Sequence, residues 1–278
     1  DLSSKRIACI TAGVEEGSVF PNTLKKYTQV EHFSYSKGRE EEIIAALSDY
    51  DYVIFGLYTS NANPWKSYRI SDEIKRFIRR VSLQNKLIID LFGNPYGLID
   101  FPEARRAEAL LVSYQNHSDA ESIGAQIIFG ALGANGHLPV SAGEPFEPGF
   151  GLNTEAIGRM GFALPEEVDM DATKLAEIDN IVEDAIRQRA TPGAQVLVAR
   201  HGKVIYNKVF GTKDYSAKHP VGFEDLYDIA SITKIAVSVP LLMKLVEEGK
   251  INLDKTLGDY LSITKGTNKE DMVLREIL

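Results

Sequence analysis

YDYVIFGLY (50–58) and KLIIDLFG (86–93) are nearly unbroken runs of aliphatic, β-branched and aromatic residues. A strand of that kind suits burial on both faces, the environment of a central strand in a parallel sheet. Similar runs flank them: RIACIT (6–11), QVEHFSY (29–35) and ALLVSY (109–114). Between them lie GREEEIIAALSDY (38–50), SDEIKRFIRRVS (71–82) and SDAESIGAQIIFGAL (118–132), where apolar positions recur at helical spacing. The alternation predicts an α/β fold over residues 1–141: a doubly wound, mostly parallel sheet with helices on both faces. Ser71 and Ser118, each followed by Asp and then Glu within three residues, are predicted helix caps.

The 278 residues carry 31 basic and 39 acidic side chains, a net charge of −8. Residues 1–164 and 165–278 each account for −4, with 16 basic against 20 acidic and 15 against 19. No basic patch points to nucleic acid. No stretch is long and apolar enough to span a bilayer. The single cysteine, Cys9, lies in an apolar strand run and is expected to be a buried, inert thiol. TAGVEEGSVF (11–20) lacks the spacing of a phosphate-binding loop, and Glu15 and Glu16 would face any phosphate, so dinucleotide binding is rejected. Five scattered histidines suggest no metal site, and no cofactor is expected.

Chemistry is concentrated in LYDIASITKIAVSVPLLMKLVEEGKI (226–251). Ser231 and Lys234 open an amphipathic helical pattern, with Ile235, Val239, Leu242, Leu245 and Val246 as its stripe and Gly249 as its stop. Residues three apart are neighbours on a helix. A partly desolvated lysine beside a hydroxyl can act as its base, making the pair a candidate nucleophile and activator. The same spacing occurs at Ser34/Lys37, in a polar run, and at Ser262/Lys265, in what reads as a solvated connection. The plainer reading of Ser231 is a helix cap with a surface lysine one turn on. Pro240 is predicted to kink this helix beyond the first turns.

YDIASITK followed by LMKLVEEGKINLDKTLGDYL resembles the class C-like branch of the serine beta-lactamase and penicillin-binding-protein family. TPGAQVLVARHGKVIYNKVFG (191–211) resembles that family's first β-hairpin, with His201-Gly202 as the turn. The resemblance covers residues 172–278, implies an incomplete α+β domain, and implies that Ser231 is the catalytic nucleophile and Lys234 its partner in deprotonation. Tyr114-Gln115-Asn116 matches a family element in spelling but precedes Ser231, and is set aside as coincidence. FGNPYGL (92–98) and ALLVSYQNHSDAESIGAQIIFGALGANGHLPVS (109–141) resemble the C-terminal α/β sandwich of family 3 glycoside hydrolases, β-N-acetylglucosaminidase type. Gly93, Pro95, Tyr96, Tyr114, Asn116, Gln126, Gly130, Gly136, Leu138, Pro139 and Val140 carry that match. His117 beside Ser118 and Asp119 is no triad, because consecutive residues cannot converge on one point.

Residues 142–170, rich in Pro and Gly, read as a linker, leaving 171–278 as the second, truncated domain. A helix is predicted over ATKLAEIDNIVEDAIRQRA (172–190). The whole reads as a piece of an exported, periplasmic or cell-surface bacterial hydrolase joining a glycosidase's accessory domain to a serine acyl hydrolase. The resemblances imply an amino-sugar glycoside and an acyl, peptide or ester as substrates, both of cell-wall type. The chain alone is expected to be inactive in both reactions, with 194–278 loosely packed or self-associating through an open-edged ribbon. The rival reading is a non-catalytic wall-binding or scaffold module that retains both folds.

Overall fold

A computed structural model describes residues 2–13, 19–59 and 68–277. Glu15 and Glu16, on which the phosphate-loop test turned, lie outside the described residues. The chain divides into two compact units, Asp1–Phe210 and Gly211–Leu278.

The first unit is built on five strands: β1 (Ile7–Ala12), β2 (Val30–Ser34), β3 (Tyr52–Tyr58), β4 (Lys86–Phe92) and β5 (Ala109–Val112). They correspond to the five predicted runs. Their order is β2-β1-β3-β4-β5 and every adjacent pair is parallel, a doubly wound α/β arrangement. Parallel pairing requires crossovers: α1 (Val19–Leu24), α2 (Glu40–Ala46) and α3 (Asp72–Gln84) supply the first three, short 3-10 turns at Pro95–Leu98 and Pro102–Arg106 supply the fourth, and α4 (Ser118–Ile128) follows β5. Successive strand side chains point to opposite faces. Ala8, Ile10 and Ala12 of β1 therefore join Ile43 of α2 and Phe77, Ile78 and Val81 of α3 in one apolar cluster. Ile7 and Cys9 join Phe20 and Leu24 of α1 and Ala125 of α4 in the other. All six residues of β1 are buried, which is why its sequence shows no polar alternation.

Two details depart from expectation. Helix α1 was not foreseen, because its six residues include Pro21 and are too few to show a period; proline is tolerated in a first turn. Ser71 does cap α3, its Oγ accepting the Ile74 N–H at 3.3 Å. Ser118 does not cap α4. His117 holds the extended cap position and its Nδ1 accepts the Asp119 N–H at 3.2 Å, which makes Ser118 the first helical residue.

Further on come β6 (Gly161–Phe162), α5 (Ala172–Arg187), β7 (Gly193–Arg200) and β8 (Lys203–Gly211). The turn at His201 and Gly202 has φ of 51° and 74°, the two positive values of the tight turn that suits strand twist. The hairpin is more than the two-stranded ribbon expected, although β7 keeps one open edge. β6 adds to β8 in parallel, giving a three-stranded sheet of order β6-β8-β7. Helix α5 reaches the hairpin through Asp179, which accepts hydrogen bonds from the Tyr206 hydroxyl and from Lys208 Nζ, the latter at 2.6 Å. Val204 and Tyr206 are buried as a result.

The second unit is thinly packed. Among its described residues Gly258 alone is buried.

Candidate active site

Within the second unit, the chain reaches Ser231 through a turn at residues 223–224, an irregular stretch and a second turn at 230–231. Asp225 accepts the Gly222 N–H at 2.8 Å and pairs with Lys213, and these contacts, the backbone one first, hold its carboxyl below the usual range. Asp228 Oδ1 accepts the Ala230 N–H at 2.8 Å. Ala230 then takes φ of 43°, a left-handed value unusual for a side chain with a Cβ. Three overlapping bonds follow: Ile232 N–H to Ile229 O, Thr233 N–H to Ala230 O and Lys234 N–H to Ser231 O, at 2.9, 3.1 and 3.0 Å. They wind the chain into a helix that places Lys234 Nζ 2.9 Å from Ser231 Oγ.

That geometry separates the three Ser-x-x-Lys sites. Lys37 is drawn to Glu73, 3.3 Å away. At Ser262 and Lys265 a backbone bond of 3.2 Å closes a short turn. A direct Ser–Lys side-chain hydrogen bond is found, among the described residues, at Ser231 and Lys234.

The helix also answers to Pro240. Residues Lys234–Ser238 form a π-helical turn, in which the Val239 N–H bonds the Lys234 carbonyl. Pro240 has no N–H to give to a carbonyl four residues back, and the wider register passes that point. The α-helical part, α6 (Val239–Glu247), starts with proline in its first turn. It ends at Gly249, with φ of 69°, where Gly249 N–H bonds Val246 O and Lys250 N–H bonds Leu245 O. This double bond about a left-handed residue is the helix stop that glycine serves best.

Exposure is the feature the sequence did not reveal. The resemblance implies a buried helix, yet no residue of α6 is buried and Ser231 and Lys234 are both exposed. Ile235, counted in the predicted apolar stripe, is 70% exposed, while Val239, Leu242, Leu245 and Val246 are half-covered.

The first unit holds a carboxylate pair that the sequence did not single out. Asp90 of β4 and Glu121 of α4 are buried and repel each other electrostatically. Asp90 Oδ1 accepts the Ser113 hydroxyl at 2.8 Å, and Glu121 Oε2 accepts the Phe20 N–H at 2.8 Å. At 0% and 5% exposure they offer no approach to a sugar. Tyr114 and Asn116 follow β5 in this unit, and His117 is spent on the cap of α4. Cys9 is fully buried, and burial pushes its thiol pKa up. Among the described residues no helix is long and apolar enough to cross a membrane, and no group of three His, Cys, Asp or Glu side chains is placed to hold a metal ion.

Residues 178–278 match the family model named Beta-lactamase, so this part of the chain is beta-lactamase-like. It is similar to Esterase EstB of Burkholderia gladioli, at 35% identity over 98 residues, which is 35% of this chain and 25% of the esterase. It is also similar to Protein flp of Staphylococcus aureus, at 34% identity over 85 residues, 31% of this chain and 17% of that protein. The chain thus spans a quarter or less of the length of these relatives. A beta-glucosidase from Listeria innocua in complex with isofagomine covers 46% of this chain with 22% of its own, at 21% identity and a TM-score of 0.37. The Trp repressor binding protein from Bacillus subtilis covers 44% of this chain with 97% of its own, at 16% identity and a TM-score of 0.30. Both likenesses are too distant to carry a functional reading.

Proposed function

We propose that this chain is part of an exported two-part bacterial hydrolase acting on cell-wall material. Residues 1–141 would be the accessory sandwich of a family 3 glycosidase of β-N-acetylglucosaminidase type, 142–170 its linker, and 171–278 part of a beta-lactamase-like serine acyl hydrolase. The observation that carries the second activity is the 2.9 Å contact between Lys234 Nζ and Ser231 Oγ, within a segment that matches the family model. With Lys234 neutral, the Ser231 hydroxyl would attack an acyl carbon while Lys234 takes its proton. The leaving group would depart with a proton, and water would then release the acyl group from the serine. The backbone N–H of Ser231 would supply one oxyanion donor. The sandwich assignment rests on the ordered motif from Gly93 to Val140.

A second reading, a wall-binding or scaffold module without catalysis, is favoured by one observation: the pair lies open to solvent, and a lysine acts as a base when partly desolvated. One experiment divides the two. The protein containing this chain is treated with a fluorescent penicillin and with an activated ester, beside its Ser231→Ala and Lys234→Ala variants. Labelling abolished by Ser231→Ala, and slowed about 100-fold or more by Lys234→Ala, supports the hydrolase. Equal labelling of all three proteins, or of none, would leave the module reading standing.

A further inference from the structure

The Pro- and Gly-rich stretch before α5 has the composition of a loose tether, but its hydrogen bonds say otherwise. We propose that residues 154–163 are a clamp that makes the five-stranded sandwich and the β7–β8 hairpin move as one body, with Gln126 as its positioning residue. Both parts lie in the first unit, and nothing in the proposal depends on Ser231.

Successive N–H groups along a strand point to opposite sides. Strand β6 is held on both. Gly161 N–H bonds Gly202 O at 2.9 Å and Ala163 N–H bonds Val204 O at 3.2 Å, fastening one edge to β8. Phe162 N–H points the other way and bonds Gln126 Oε1, on α4 of the sandwich, at 2.8 Å. Gln126 is 2% exposed, and its Nε2 donates to Ser122 Oγ at 3.3 Å, which fixes the amide with its oxygen toward β6. A two-residue parallel pairing is marginal by itself, so the bond from α4 decides whether it forms.

Side chains close the clamp. The Phe162 ring meets Tyr27 edge-on at 5.6 Å, and Lys26 Nζ lies 4.2 Å from its centroid. The Tyr27 hydroxyl donates to Met160 O at 3.2 Å, so the end of α1 and the stretch before β6 are tied together. Upstream, Ala134 and Thr154 exchange two backbone bonds of 3.1 and 2.7 Å, and Ile157 N–H bonds Gly130 O at 2.8 Å. From residue 154 to 163 the chain is thus fastened to the sandwich before it reaches the hairpin.

The test places spin labels at L83C on α3 and L197C on β7, both well exposed, in the full chain, where the native Cys9 is too buried to react. One narrow distance distribution is expected in the parent. Gln126→Leu, which strands the Phe162 N–H, and Phe162→Ala should each broaden it. Both should speed amide exchange at residues 161–163 and 203–206 about tenfold, the scale of one lost hydrogen bond. Protection in β1, β3 and β4 should persist. A broad distribution in the parent, or a narrow one in both variants, overturns the proposal. If Gln126→Leu exposes β3 and β4 as well, Phe162→Ala, which leaves the sandwich core intact, decides alone.

Discussion

The carboxylate of Asp90 is packed against the backbone of Gly124, so closely that a Cβ at residue 124 would stand 2.1 Å from Asp90 Oδ2. Glycine at this point of α4 lets the helix lie down on β4 over a buried acid. Gly124→Ala gains helix propensity but must push the two elements apart. A net loss of about 3 kcal/mol is expected, read from the midpoint of chemical unfolding. A variant as stable as the parent would show that the helix can lift away without cost.

The same acid predicts a pH dependence. Burial, the largest cause, and the nearby Glu121 raise the Asp90 carboxyl from its ordinary 3.8 to about 7, against a smaller lowering by the Ser113 hydroxyl. Between those values the folded state keeps a proton that the unfolded chain releases. This group's contribution is therefore full below about pH 4, declines as pH rises toward 7, and is level above. The span corresponds to about 4 kcal/mol. Asp90→Asn should flatten that stretch of the stability curve and raise stability at pH 8, as measured by denaturant titration across the range.

Pro240 is held responsible for the π-helical turn at Lys234–Ser238. Pro240→Ala restores a donor, and the expected result is a regular α-helix from residue 232 onward, with stronger far-ultraviolet helical signal. The altered carbonyls begin at Lys234, while the bonds that wind Ile232, Thr233 and Lys234 into the helix end on carbonyls 229–231 and stay in place, so serine labelling in the parent protein should change by no more than about threefold. A larger loss would mean that the bulge itself shapes the pair.

Purified alone, this chain is expected to turn over neither a chromogenic β-N-acetylglucosaminide nor a β-lactam. The buried carboxylates Asp90 and Glu121 are closed to a sugar, and Ser231 and Lys234 are exposed to solvent. Turnover of either substrate, above a Ser231→Ala control for the β-lactam, would refute this.

Much of the sheet could be read from the sequence, because each strand is buried on one or both faces and its composition records that. Residues 52–58 and 86–92 are nearly pure apolar runs for this reason. Shorter elements carry no such record. β6 is two residues long, and it exists because Gln126 and β8 hold it, 35 and 42 residues away in sequence from Gly161. The cap at His117 went unread because an imidazole acceptor competes there with a neighbouring serine that looks better suited. At the candidate site, spacing foretold that Ser231 and Lys234 meet, since i and i+3 adjoin on any helix. It could not foretell their exposure, which depends on what packs over the helix.

With Gly258 alone buried among the described residues of the second unit, heat uptake on unfolding should be lopsided. The heat-capacity increment comes from apolar surface newly wetted, roughly 12–15 cal/mol/K per residue in a well-packed protein. Residues whose side chains are already wet when folded add almost nothing to it. Calorimetry of the 278-residue chain should therefore return the increment of a protein of about 210 residues, nearer 3 than 4 kcal/mol/K. By heat alone, the segment with the candidate nucleophile would pass unnoticed.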